Sequence, residues 1–286
     1  MRMCKRLMPA FAALWLVALA ACDQDEEPAR TGEAAEQPED DGPAAETDDG
    51  TPEASGRADA PPEPDGPVGV IEGRIVLSGE APERVPLQRG SDPVCAQSDM
   101  LTESVVTGDD GGLKDVFVRV DGGDEDLRAP APDGPVVVDQ EACMYRPRVQ
   151  GAVTGQTLRV KNSDSTLHNV RGREMTLGGT VGSTLYNLAQ PAGAPAIEQG
   201  VGDVDVVELG CDMHAWMQAF VVVSDHPYFA TTGEQGRFRI ENVPTGSFEL
   251  STWHPHYGEK REEITVEEAA TVEIEITYDA EADDPA

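Results

Sequence analysis

From Val68 to Tyr278, apolar side chains recur at alternate positions in short runs, and helical spacing is nearly absent. The first runs are Val70, Ile71, Ile75 and Leu77, then Val116, Phe117, Val118 and Val120, then Leu158 and Val160. Val206, Val207 and Leu209 follow, then Phe220 to Val223, Phe238 and Ile240, Phe248, Leu250 and Thr252, Ile264 and Val266, and finally Val272, Ile274 and Ile276. A period of two sends successive side chains to opposite faces of a strand, and Gly, Asn and Asp interrupt the runs about every ten residues. The pattern predicts an all-β chain built as sandwiches. About 210 residues suffice for one large or two ordinary β domains.

The N-terminal segment reads differently. Arg2, Lys5 and Arg6 precede an apolar run from Leu7 to Ala21, too short for a permanent bilayer span but suited to a secretory signal. The run closes with Leu19-Ala20-Ala21-Cys22, which resembles a bacterial lipobox. The resemblance implies a signal peptide over 1–21, cleavage before Cys22 and lipidation of its thiol; an ordinary signal with a chance cysteine is the alternative. Each buried methylene of an acyl chain contributes about 0.8 kcal/mol, so several chains on Cys22 would hold the protein at a membrane surface. Export places the protein on the periplasmic face of a bacterial membrane. Asp23, by resemblance to enterobacterial lipoproteins, hints at the inner membrane, and the choice between inner and outer stays open.

Residues 22–66 read as a linker. Between 23 and 66 stand 16 Asp and Glu against Arg30 and Arg57, with no aromatic residue. Such a segment buries too little apolar surface to offset its ordering entropy and is expected to be a disordered acidic tether. Its reach would be on the order of 35 Å or more. The formal charge is −33, and loss of Arg2, Lys5 and Arg6 with the signal makes it −36, which excludes nucleic acid as a partner. The same charge suits solubility, or steering toward a basic redox partner.

The chemistry is concentrated in Cys211-Asp212-Met213-His214-Ala215-Trp216-Met217, with His168 43 residues before Cys211 in Leu167-His168-Asn169-Val170. Two imidazoles, one thiolate and one thioether are the donor set of a blue copper centre. Cys-x-x-His-x-x-Met is too compact for three strand positions and must wrap around one point. Zinc is the competing metal, but a thioether is a poor zinc ligand. The HNV and CDMHAWM segments resemble the cupredoxin family, with a ligand loop of amicyanin length, and the likeness spans roughly residues 134–224. It implies a Greek-key sandwich holding one mononuclear type 1 copper ion, with His168, Cys211 and His214 as strong ligands and Met217 axial. Asn169 would tie the two ligand segments together. His214 would reach the surface as the electron port, with Met213, Ala215 and Trp216 as an apolar collar, although Trp216 could equally cap the sandwich. Ala215 stands where such loops usually carry Pro, which puts loop rigidity in doubt.

Of five cysteines, Cys4 leaves with the signal, Cys22 takes lipid and Cys211 takes metal. Cys95 and Cys143 remain and are expected as a disulfide in an oxidising compartment, with two free thiols or an accessory metal site as alternatives.

The stretch ATTGEQGRFRIENVPTGSFELSTWHPHYGEKREEITV resembles the second half of a carboxypeptidase-regulatory-like or rhamnogalacturonan-lyase-like sandwich, while GVIEGRIVLSGEAPERVPL and GGLKDVFVRV are similar to its first strands. The resemblance implies a discontinuous sandwich of 68–129 and 226–280 with the copper domain inserted over 130–225. An N-terminal extension of the cupredoxin followed by a separate C-terminal sandwich is the alternative. His254 and His256 flank Pro255 with no thiolate or carboxylate beside them, so they are expected at an exposed strand end or turn. His226 reads as a hinge residue.

With all four coordination positions filled by protein, no position remains for a substrate. The expectation is a membrane-tethered electron carrier without enzyme activity, exchanging single electrons with a redox protein. Two alternatives stand beside it: a binding lipoprotein recognising a polysaccharide or protein with a vestigial copper site, and a copper sequestration or delivery protein.

Overall fold

The computed structural model describes residues 66–123 and 127–284, so the signal over 1–21, the lipidation position Cys22 and nearly all of the linker lie outside the described residues. The strands in chain order are β1 (Val68–Ser78), β2 (Phe117–Asp121), β3 (Val136–Glu141), β4 (Met144–Arg146), β5 (Val149–Val153), β6 (Thr157–Asn162), β7 (His168–Met175) and β8 (Val181–Gln190). They continue with β9 (Ile197–Gly200), β10 (Val206–Gly210), β11 (Gln218–Ser224), β12 (Phe229–Thr231), β13 (Arg237–Pro244), β14 (Gly246–His254), β15 (Gly258–Val266) and β16 (Thr271–Asp279). Among the described residues the single helical turn is a 3₁₀ turn over Cys95–Gln97. The fold is all-β.

Four sheets result, ordered β13-β1-β16, β12-β2-β14-β15, β5-β11-β10-β7-β8 and β4-β3-β6-β9. The first two close on one core, drawn from β1, β2 and the strands after Tyr228; Ile71, Ile75, Val118, Val120, Ile240, Leu250 and Tyr278 are all but fully buried there. β1 lies parallel to β16, with Val70 opposite Thr271 and Ser78 opposite Asp279, so the two ends of the described chain share a sheet. The other two sheets close on a second core containing Val138, Tyr145, Val160, Val170, Leu209, Met217 and Val221. A smaller cluster of Phe117 and Trp253 with Val149, Met175, Val206, Phe220 and Val222 joins the two, so β10, β11 and β5 are covered on both faces. That double covering explains why these strands read as continuous apolar runs where one-sided strands alternate.

Gly151, in β5, sits under this junction. A Cβ there would come within 2.3 Å of the Phe229 ring and 2.6 Å of Phe117. Only a residue without a side chain lets β5 pass beneath both rings.

The 80–107 connection between β1 and β2 carries its own contacts onto the second core. Its two arms are held together by hydrogen bonds from Leu87 N to Met100 O and from Thr102 N to Val85 O. Arg146 clasps Glu103 through both guanidinium nitrogens, at 2.6 and 2.8 Å. Cys95 is bonded to Cys143.

Candidate metal centre

The site forms where three segments end. His168 is the first residue of β7, Cys211 follows β10 directly, and His214 lies in the turn that returns the chain into β11. β7 and β10 are antiparallel neighbours, with Gly210 opposite Arg171, which brings the start of one beside the end of the other. Buried Tyr145 fastens the two strand ends, its hydroxyl donating to Asn169 O at 2.9 Å and Gly210 O at 3.2 Å.

The donor atoms of His168, Cys211 and His214 lie within 4.8 Å of one another, and all three residues are buried. His168 Nδ1 is 2.9 Å from His214 Nδ1, and Cys211 Sγ is 3.8 Å from the same nitrogen. Metal–nitrogen and metal–sulfur lengths of about 2.0 and 2.3 Å in a trigonal plane require about 3.5 Å between nitrogens and about 3.7 Å between nitrogen and sulfur. The spacing between Cys211 Sγ and His214 Nδ1 already matches, and the imidazoles need part by only about half an ångström to reach the required separation. Met217 is buried in the same core as Cys211, and its amide donates to His214 O at 2.9 Å, closing the turn. The donor set and burial fit copper.

Asn169 links the His168 and Cys211 segments: Asp212 N donates to its Oδ1 at 2.7 Å, Cys211 Sγ lies 3.4 Å from that oxygen, and Asn169 N points to Cys211 Sγ at 3.5 Å. Its Nδ2 donates to Asn187 Oδ1 at 2.8 Å, and Asn187 in turn donates to Asp212 Oδ2 at 2.8 Å. Arg171 pairs with Asp212 on the outside of this network.

Two carboxylates absent from the sequence reading face the outer ring nitrogens. Asp164 Oδ2 is 2.9 Å from His168 Nε2, and Asp92 Oδ2 is 3.2 Å from His214 Nε2. An acceptor on Nε2 fixes the proton there and turns Nδ1 toward the centre. Burial pushes His168 below the ordinary histidine range, and the Asp164 hydrogen bond opposes that shift. For Asp92, burial works upward, but hydrogen bonds from Thr166, from the Val94 and Cys95 amides and from His214 prevail and hold the carboxyl below its usual range. Asp164 stands four residues before His168, a spacing that could have flagged it. Asp92 lies 122 residues from His214, and no local signal connects them.

The expectation for His214 is corrected. His214 is only 2% exposed and does not reach the surface as an electron port. The 80–107 connection covers it: Asp92 takes its outer nitrogen, Cys95 Sγ stands 3.8 Å from that nitrogen, and Trp216 packs against the ring at 5.1 Å between centroids. Trp216 is half-buried and donates Nε1–H to Cys143 O at 3.0 Å, so it serves as a cap. Of the expected collar, Met213 stands out into solvent at 55% exposure, and Ala215 is exposed. A cavity of about 410 Å³ opens beside Cys211 and Met217, walled by Leu87, Met144 and Trp216.

The remaining histidines stay apart from the centre. His226 is buried between β11 and β12, and its Nδ1 accepts from Tyr228 N at 3.2 Å. His254 ends β14 as expected, but it is fully buried where exposure was expected, because its ring packs on Tyr257 and its Nδ1 accepts from the amides of His256 and Tyr257. His256 is partly exposed, with Nε2 3.3 Å from Asp284.

No family model matches the chain, and no curated protein matches it. Among solved structures, the chain is similar to a purple cupredoxin from Nitrosopumilus maritimus, at 23% identity over 31% of this chain and 98% of that one, with a TM-score of 0.26. It is likewise similar to amicyanin variants, one in its Cu(I) form at 20% identity and TM-score 0.24, another in a reduced state at 20% and 0.26, each over 37% of this chain and 98% of the other.

Proposed function

We propose that the protein is a type 1 copper protein that exchanges single electrons with a redox partner. The observation that carries this reading is the convergence of two imidazole nitrogens and one thiol within 4.8 Å, buried at the ends of β strands with Met217 in the same core. Bound there, copper would supply one-electron exchange between Cu(I) and Cu(II). His168, Cys211 and His214 would hold it, with Met217 as a weak fourth donor. Asp164 and Asp92 orient the two imidazoles, Asn169 holds the thiol in line, and the strand ends fix the positions of the donors. Because His214 is covered, the ligand loop presents Met213 to a partner, with half-buried Trp216 beside the imidazole; a small apolar contact of this kind suits brief redox encounters.

The wider reading belongs to the same proposal. Export, a lipid anchor on Cys22 and a periplasmic location rest on the N-terminal sequence. A discontinuous sandwich of 68–129 and 226–280 around a copper domain over 130–225 is supported by the two separate cores, and the absence of enzyme activity by a site whose donors are all internal. One observation favours a second reading, copper sequestration: the cover over His214 shields a ligand that carriers of this resemblance expose.

The test is the visible spectrum of the copper-loaded protein before and after Cys211→Ser. An intense thiolate-to-copper band that vanishes in the variant is expected. An identical spectrum in the variant refutes the assigned thiolate. Rapid reversible electron exchange supports the carrier, whereas slow exchange with tight Cu(I) retention supports sequestration.

A further inference from the structure

His168 and His214 stand 46 residues apart, yet the groups behind both rings meet in one turn. The turn runs from Asn162, the last residue of β6, to His168, the first of β7. It carries Asp164, whose Oδ2 faces His168 Nε2 at 2.9 Å, and Thr166, whose hydroxyl donates to Asp92 Oδ2 at 2.8 Å. That same Asp92 oxygen faces His214 Nε2 at 3.2 Å. One side chain fixes the turn from inside. Asn162 Oδ1 accepts the Asp164 amide at 3.1 Å, while its Nδ2 donates to Thr166 O at 3.0 Å and to Gln190 O at 2.9 Å. We infer that Asn162 is a positioning residue for both imidazoles, holding the turn in the form that delivers Asp164 to His168 and Thr166, through Asp92, to His214.

The chemistry of the side chain suits that role. An amide offers two donor hydrogens and an acceptor oxygen, and here both ends are used, so Ala would leave one amide and two carbonyls of the turn without their side-chain partner. The footing beneath it is firm. Gln190 lies opposite His168 in the β7–β8 pairing and is buried, with Nε2 donating to Val160 O at 3.0 Å and Oε1 accepting from Gln140 Nε2 at 2.6 Å. Asn162 thereby ties the turn to the strand that already holds the ligand in register.

Each carboxylate also has an anchor outside the turn. Cys143 N donates to Asp164 Oδ2 and Val94 N to Asp92 Oδ1, both at 2.8 Å. Loss of Asn162 therefore loosens the two carboxylates without releasing them. An acceptor held against Nε2 keeps Nδ1 toward the centre, and loosening it lowers metal affinity. The consequence for copper rests on the proposed reading of this centre, whereas the consequence for the rings does not.

The experiment follows the Nε2–H protons of His168 and His214 by nitrogen-15 NMR in the copper-free full chain, where a buried, bonded proton exchanges slowly with solvent. Expected is exchange about tenfold faster or more at both rings in Asn162→Ala, at His214 alone in Thr166→Val and at His168 alone in Asp164→Ala, with near-ultraviolet circular dichroism unchanged. Copper affinity in chelator competition should fall about 10- to 100-fold in Asn162→Ala. Thr166→Val should cost less affinity in that variant than in the parent, because its seat is already loose. Unchanged exchange at either ring in folded Asn162→Ala overturns the inference. So does unchanged exchange at His214 in Thr166→Val, a test that stands even where Asn162→Ala does not fold. A chain that shows this exchange pattern but binds no copper refutes the type 1 reading alone, and copper binding without the pattern refutes the inference alone.

Discussion

Protonation of His254 cannot be accommodated in the folded state, and the consequence can be sized. Its Nδ1 accepts the amides of His256 and Tyr257 at 3.2 and 3.3 Å, and its Nε2 is buried without a partner. Charging the ring would remove the acceptor and strand a cation in the core. Burial, with Arg148 and His256 adding repulsion, pushes its pKa down to about 3. The unfolded chain takes up this proton near pH 6.5, while the folded chain does so only near pH 3. Stability is therefore undiminished above 6.5 and declines as the pH falls toward 3, by about 1.4 kcal/mol per pH unit. Between pH 7 and pH 4 the loss from this one residue is about 3 kcal/mol. The assay is urea unfolding at both pH values and constant ionic strength, for the parent and His254→Gln. Gln carries no titratable group, so the parent should lose about 3 kcal/mol more than the variant over that range. Parallel pH profiles would refute the reasoning, because other titrating groups cancel in the difference.

Replacing Cys95 and Cys143 together by Ser opens a loop of sequence separation 48, which should cost about 4 kcal/mol in loop-closure entropy, read as a lower free energy of unfolding from denaturant titration. A cost near zero would mean that the unfolded chain is already constrained there. Asp164→Asn removes the charge behind His168 and should weaken copper binding about 10- to 100-fold in a chelator competition, with the fold intact by circular dichroism. Unchanged affinity would show that His168 is oriented by burial alone.

β1 and β16 were legible because each keeps an apolar row on one face, alternating as the period of two requires. β8 was illegible, since nine of its ten residues are exposed or half-exposed at a sheet edge and carry little apolar period. β7 was masked by the polar residues that serve the site, His168 and Asn169 among them.

For the site, sequence alone determined the donor types and the compact turn, because Cys211, His214 and Met217 are close along the chain and local spacing constrains local geometry. Tertiary structure alone decided what lies behind and above those donors. Asp92 reaches His214 across 122 residues, Tyr145 reaches both Asn169 and Gly210, and the 80–107 connection turns an expected surface imidazole into a buried one. Such contacts depend on where distant segments are carried by sheet pairing, and a pairing between remote strands leaves no periodic trace in either segment.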